Sequence, residues 1–529
     1  MVDWFALETV LRELGIPSKF IQWILIMVKT VPYTFNINGE PSEVMKAKRG
    51  IRQGDPIYPL LFVVMMEYLS RKLVKMQLDP TFQHHSQCKK LGITHLTFAD
   101  DVLLFCRGDV KSVEKMLHVI AEFSATTGLV VNPSKCKIYF GGVDTNTKRK
   151  IQHISSYDEG QLPVRYLGVP LTSKKLNVKH YLPLIDKIMA RIRHWTFKLL
   201  SMAGRVQMVN CIVTAITQFW MHCLPIPKCV ITKIDSMCRS FVWSSSTEVT
   251  RKSPVAWHSV CKPKAQGGLN IINLLTWNIV TMLKCLWNLC NKAHNLWVKW
   301  IHTYYMKGES VMEIEMKMSY SWVMKKVLTQ RVLATRIQPT WNDMLSSTKF
   351  GMKKIYDKLM EADRVPWSNL LRNNCARPRA ILITWLACHG RLGTKDRLVR
   401  FGMITDKLCS FCNETEETLD HLLFECRTSH AIWKEVLHWI GVIHEPQKWV
   451  MELDWVLRMI GRKGWRAYLL KMAVTETIYN IWAHRNGKIF GGNTYRSISK
   501  DITDSIIETI VYRGWGSKKL RKHIAALML

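Results

Sequence analysis

Two short stretches carry residue types that could do chemistry. In LTFADDVLLF, Asp100 and Asp101 stand side by side between two apolar runs, with no glycine, asparagine or proline to mark a turn. Adjacent carboxylates repel unless a cation neutralises them. Magnesium is suited to that role because it demands oxygen ligands and commonly uses one or two carboxylates together with phosphates. A plain solvated acidic turn is the competing reading, and ten residues alone do not separate the two. In CSFCNETEETLDHLLFEC, Cys409, Cys412, His421 and Cys426 follow a C-x2-C-x8-H-x4-C spacing. Four such ligands make a closed tetrahedral zinc site, and a closed site is structural rather than hydrolytic. The alternative there is a set of buried, unligated thiols.

The elements that must position these groups can be read from local pattern. The runs HLTF and VLLF predict two strands, so Ala99, Asp100 and Asp101 belong at or near a tight hairpin turn. Upstream, KRGIRQGDPIYPLLF is a loop punctuated by Gly50, Gly54 and Pro56, feeding an apolar segment expected to be a buried helix. Trp4, Leu7, Leu11 and Leu14 recur at helical spacing until Gly15-Ile16-Pro17, and YTFNINGE predicts a hairpin at Asn38-Gly39. The first zinc-ligand pair can grip from one tight turn. The second pair comes from a short helical segment beginning near Thr418. From about residue 180 to 330, and again after about 445, the text is helical and rich in tryptophan and basic residues; at that spacing the tryptophans read chiefly as core.

The totals narrow the class. A chain of 529 residues needs two to four domains. A net charge of +34 with ordinary hydrophobic content points to a polyanionic partner, nucleic acid before anionic membrane. Six to ten phosphate contacts would weaken about 10³–10⁵-fold between 50 and 200 mM salt. Fifteen cysteines, scattered apart from Cys409 and Cys412, suit a reducing compartment better than a disulfide scaffold. The first residues lack the pattern of a secretory signal, and no apolar run reaches membrane-spanning length, so a soluble intracellular protein is expected. The nucleus is favoured slightly over the cytoplasm as its location.

Taken in order, RQGDP, FADD, NPSK and RYLG resemble successive palm motifs of a reverse transcriptase. More narrowly they resemble the non-LTR (LINE-type) polymerases of plant genomes. The resemblance implies an α+β fold: a partial reverse-transcriptase palm at 1–172, a helical thumb and connector at 173–345, a zinc-binding module at 346–442 and a basic helical region at 443–529. It implies that Asp100 ligates catalytic magnesium with Asp101 as its companion. It places Arg52, Gln53 and Gly54 near the incoming nucleotide and template base, and makes Lys135 a general acid or a neutraliser of the leaving pyrophosphate. Tyr166, Leu167 and Gly168 would grip the primer end. Partners would be RNA and DNA as template and primer, with a deoxynucleoside triphosphate as the substrate and no membrane. The segment around the zinc ligands resembles the zinc-binding domain downstream of these polymerases.

One expected part is missing from the match. The family pattern Ala-Tyr-Asp-Ser-Val-Asp-Trp supplies a third metal-binding aspartate, and aligning Val2-Asp3-Trp4 with it sets that residue before Met1. Asp3 is then expected to be a helix-opening acid. The expectation is a polymerase fragment that binds nucleic acid but is inactive alone. The rival expectation is a non-enzymatic zinc- and RNA-binding protein.

Overall fold

The computed structural model describes residues 2–52, 54–194, 200–244, 253–462, 464–490 and 499–527. The chain is mostly helical with a few short strands, an α+β composition. It divides into two compact units, Met1–Lys174 with Lys292–Ile314, and Lys175–Asn291 with Glu315–Leu529. No helix among the described residues is long and apolar enough to cross a membrane.

In the first unit, the helix Trp4–Glu13 is opened by Asp3, whose carboxylate accepts from the backbone N–H groups of Phe5 and Ala6. This is the helix-opening role expected of Asp3, and it satisfies donors that a helix start leaves unpaired. Leu7, Val10 and Leu11 pack with Ile21 and Leu25 of the helix Ser18–Lys29 and with Leu61 and Met65 of the helix Tyr58–Met76. The last helix is not buried all round, contrary to expectation. Leu61, Met65, Leu69 and Leu73 face inward at four-residue spacing, whereas Leu60, Val63 and Val74 are exposed. A continuous apolar run fixes burial only where neighbouring elements cover every side, and here they cover one stripe.

Three hairpins punctuate this unit. Asn36–Ile37 pairs with Glu40–Pro41 across Asn38 and Gly39, both at positive φ, as the Asn-Gly signal predicts. His95–Phe98 pairs antiparallel with Asp101–Leu104. Val164–Tyr166 pairs with Val169–Leu171 through Leu167 and Gly168. The segment 292–314 belongs to this unit through its aromatic residues: Trp300 donates its indole N–H to the Gln87 carbonyl at 2.8 Å, and the Tyr304 hydroxyl accepts from the Lys90 N–H at 2.9 Å.

The second unit is a helical assembly. The helix Pro378–Cys388 packs on the long helix Trp465–Phe490, which also packs on Ser499–Trp515. Trp341, Trp385 and Trp433 are fully buried, in keeping with tryptophans at helical spacing serving the core. Buried carboxylates tie its helices: Glu476 accepts from the backbone and guanidinium of Arg377, and Glu452 accepts from the indole N–H of Trp433, from His444 and from the backbone of Gln447.

Candidate metal and nucleotide sites

The paired aspartates are split by the hairpin. Phe98 and Asp101 form the last cross-strand pair, leaving Ala99 and Asp100 as a two-residue turn. Ala99 takes φ +51, a left-handed conformation that costs an ordinary residue about 1–2 kcal/mol. Asp101 therefore sits on the strand end and Asp100 at the tip, both exposed. The Tyr166–Leu167–Gly168 hairpin lies nearby. Burial and then the negative charge of Asp101 raise the Tyr166 hydroxyl above its ordinary range. Leu167 and Gly168 both adopt positive φ, +48 and +85, which suits a tight two-residue turn matched to strand twist.

Arg52 is exposed and lies over the Tyr33 ring at 5.9 Å, Gly54 takes φ +95, and Gln53 falls outside the described residues. This loop is fastened to the chain start: the Gly50 N–H donates to the Val2 carbonyl, and the Trp4 indole donates to the Gly50 carbonyl at 2.7 Å. Lys135 ends the short turn Pro133–Lys135, exposed and without an ion pair among the described residues. The donor chemistry of Asp100 and Asp101, hard and solvent-facing, fits magnesium. Among the described residues no further Asp, Glu, His or Cys joins them closely enough to share one ion.

The second site is assembled fully. The ligand atoms of Cys409, Cys412, His421 and Cys426 all lie within 4.8 Å of one another. Cys409 Sγ is 3.9 Å from Cys426 Sγ, and Cys412 Sγ is 3.3 Å from His421 Nε2. Zinc–sulfur bonds of about 2.3 Å in a tetrahedron put two sulfurs about 3.8 Å apart, so the donors fit zinc. The first pair is held by a tight turn in which the Asn413 N–H donates to the Cys409 carbonyl and Asn413 takes φ +56. The second pair brackets the five-residue π-helical turn His421–Glu425, and Cys426 then opens the helix Arg427–Trp439. His389 and His430 stand apart, as expected: His389 donates to the Gly267 carbonyl, and His430 faces Glu445.

Electrostatics divide the cysteines. Cys426 is pushed down to about 5, first because Cys409 Sγ–H donates to its sulfur and then because the Thr428 and Ser429 N–H groups point at it. Cys409, the donor, is pushed up by the same contact and by burial. One thiolate is thus prepared by the fold before any metal arrives.

The supporting shell was not foreseen. Glu417 is fully buried within the ligand loop; it accepts from the N–H and hydroxyl of Ser410, from the Lys395 N–H, and from the guanidinium of Arg485. Nothing in NETEETLDH distinguishes Glu417 from Glu414 or Glu416, which remain exposed.

The stretches that contain the two candidate sites are similar to known proteins. Residues 1–171 match the reverse transcriptase (RNA-dependent DNA polymerase) family, and 350–433 match the family described as zinc-binding in reverse transcriptase. An Arabidopsis thaliana protein named for ribonuclease H is 26% identical over 141 residues, 27% of this chain and 23% of that protein. The retrovirus-related Pol polyprotein from the type-1 retrotransposable element R2 of Popillia japonica is 28% identical over 131 residues, 25% of this chain and 21% of its own length. The corresponding polyprotein from the type-2 element R2DM of Drosophila melanogaster is 25% identical over 174 residues, 31% of this chain and 16% of its own. The chain thus spans about a quarter or less of these relatives. Over these stretches the chain is similar to reverse transcriptases, retrotransposon polyproteins among them, and to the zinc-binding segment described in reverse transcriptases.

Proposed function

We propose that this chain is the nucleic-acid-handling portion of a retrotransposon RNA-directed DNA polymerase, and that alone it binds template and primer without extending them. The observation that carries the reading is the hairpin tip, where Asp100 and Asp101 stand exposed beside Tyr166 with no third ligand among the described residues. Asp100 would hold a catalytic magnesium ion with Asp101 as companion. Arg52, Gln53 and Gly54 would face the nucleotide and template base, Lys135 the departing pyrophosphate, and Tyr166, Leu167 and Gly168 the primer end. Divalent metal held by these carboxylates would supply positive charge for the oxygens at which negative charge develops in nucleotidyl transfer. A further carboxylate beside Asp100 and Asp101 would add charge stabilisation worth several kcal/mol.

The proposed organisation is a partial palm at 1–172, thumb and connector at 173–345, a zinc module at 346–442 and a basic helical region at 443–529. Zinc at Cys409, Cys412, His421 and Cys426 would be structural. The test is primer extension on an RNA template with magnesium or manganese, run beside a gel-shift of the same template-primer. A shifted complex without extension is expected. Template-dependent synthesis abolished by Asp100→Ala would show that the chain is an active polymerase. RNA binding with no response to primer or nucleotide would favour a non-enzymatic zinc- and RNA-binding role, the reading suited to two carboxylates without a partner.

A further inference from the structure

We infer that the second unit carries a phosphodiester-binding surface of its own, built by Arg372, Arg466, Lys471 and Lys519 around Tyr468 and Trp465. Three stretches meet there. The Lys519 ammonium donates to the Tyr468 hydroxyl at 2.6 Å and lies 4.0 Å from its ring centroid, and Lys471 lies 5.6 Å from the same ring. Trp465, one turn earlier on the helix Trp465–Phe490, stacks on His523 at 4.4 Å and has Arg466 over it at 5.5 Å. Asn374 donates its side-chain N–H to the Lys471 carbonyl at 3.0 Å, so the loop carrying Arg372 lies beside Lys471, whose ammonium feels the charges of Lys519 and Arg372. Arg513 and Ser517 tie that loop down through Cys375.

No ion pair neutralises the four proposed cations among the described residues. Residues 372–380, 464–475 and 511–524 contain no Asp or Glu. Arg372, Arg466, Lys471, Lys518, Lys519, Arg521 and Lys522 make no ion pair among the described residues, whereas Lys395, Lys434 and Arg377 of the same unit all do. Like charges gathered without counter-charge cost stability, and an anion binding there relieves that cost. Both rings are engaged by neighbouring cationic or imidazole side chains: His523 stacks on Trp465, and Lys519 lies over Tyr468. They act as spacers that fix the cations. The surface therefore fits the repeating phosphates of a nucleic acid backbone, with affinity that depends on salt and not on sequence. Two of its three stretches lie beyond both family matches.

This inference rests on the proposed binding of nucleic acid by the chain, and the test separates the two. Fluorescence anisotropy with a 30-nucleotide single-stranded RNA and a 30-base-pair DNA duplex, from 50 to 300 mM salt, is measured on the full chain. The same titration is run on the quadruple variant Arg372→Gln, Arg466→Gln, Lys471→Gln, Lys519→Gln. A control variant, Lys233→Gln, Lys317→Gln, Lys349→Gln, Lys353→Gln, removes equal charge elsewhere in the unit; zinc content and circular dichroism check folding. The expected result is an affinity loss of about tenfold or more and a salt slope shallower by about 2–4 in the first variant only. Binding by the unaltered chain with equal affinity and slope in both variants overturns this surface and leaves the functional proposal standing. No binding to either probe at low salt overturns both. Binding only to vesicles containing phosphatidylserine assigns the patch to a lipid headgroup and overturns it as a nucleic-acid surface.

Discussion

Arg485, on the helix Trp465–Phe490, donates from Nε and Nη2 to a single carboxylate oxygen of Glu417 at 3.0 and 2.6 Å, across 68 positions of sequence. Both side chains are buried, 1% and 0% exposed. Because the other oxygen of Glu417 accepts from the Ser410 N–H and hydroxyl, this pair connects a distant helix to the residue beside the proposed zinc ligand Cys409. Removing one partner of such a pair leaves an uncompensated charge in the interior. Arg485→Met should lower stability by about 3–5 kcal/mol and weaken zinc retention, measured by urea denaturation and by chelator competition. Unchanged zinc affinity in a folded Arg485→Met protein would show that the pair is structural glue without influence on the site.

Metal analysis of purified protein should give one zinc per chain. Cys412→Ser should reduce this below half an equivalent and destabilise the second unit, since structural zinc contributes about 10–16 kcal/mol to folding in small modules. Full occupancy in that variant would remove Cys412 from the ligand set.

The metal-free site should keep a thiolate in mild acid. Cys426 is depressed to about 5 in the fold from an ordinary value of 9.0, so its thiolate stability is fully present above pH 9 and lost as pH falls through about 5. In zinc-stripped protein that keeps its circular dichroism, ultraviolet thiolate absorbance should therefore persist at pH 6.5 and fade as pH drops toward 5, and Cys426→Ser should reduce it. Loss of that absorbance centred near pH 7 would contradict the preparation of Cys426 by Cys409 and the helix N-terminus.

Gly168 closes the hairpin beside Asp101 at φ +85. Gly168→Ala should cost about 1 kcal/mol locally. Hydrogen–deuterium exchange should speed up at residues 164–171 while zinc content stays constant. No change in exchange would mean that the turn tolerates a side chain in its left-handed conformation.

Both candidate metal sites could be picked out in the sequence because their residues are local in the chain, and the structure gathers the Cys409, Cys412, His421 and Cys426 set. Phe98–Asp101 is a hairpin whose flanking runs declare themselves, and a C-x2-C turn with a nearby His and Cys meets within one loop. The resemblance to reverse transcriptases drew on the same local stretches, and the family matches fall on them. Partnership between distant elements was not readable. Helical periodicity says that one face of Trp465–Phe490 is apolar; it does not say that Arg485 turns inward to Glu417, nor that Glu476 receives Arg377.

The sequence by itself determined the ligand types, their spacing and the turns that hold them, because those follow from backbone sterics and short-range hydrogen bonding. Only the tertiary structure decided which charges are buried together and which stand uncompensated at the surface. It also decided that 292–314 packs with 1–174 through Trp300 and Tyr304. These outcomes depend on which faces meet after the chain closes long loops, and packing and desolvation settle that between residues with no mark of each other in the sequence.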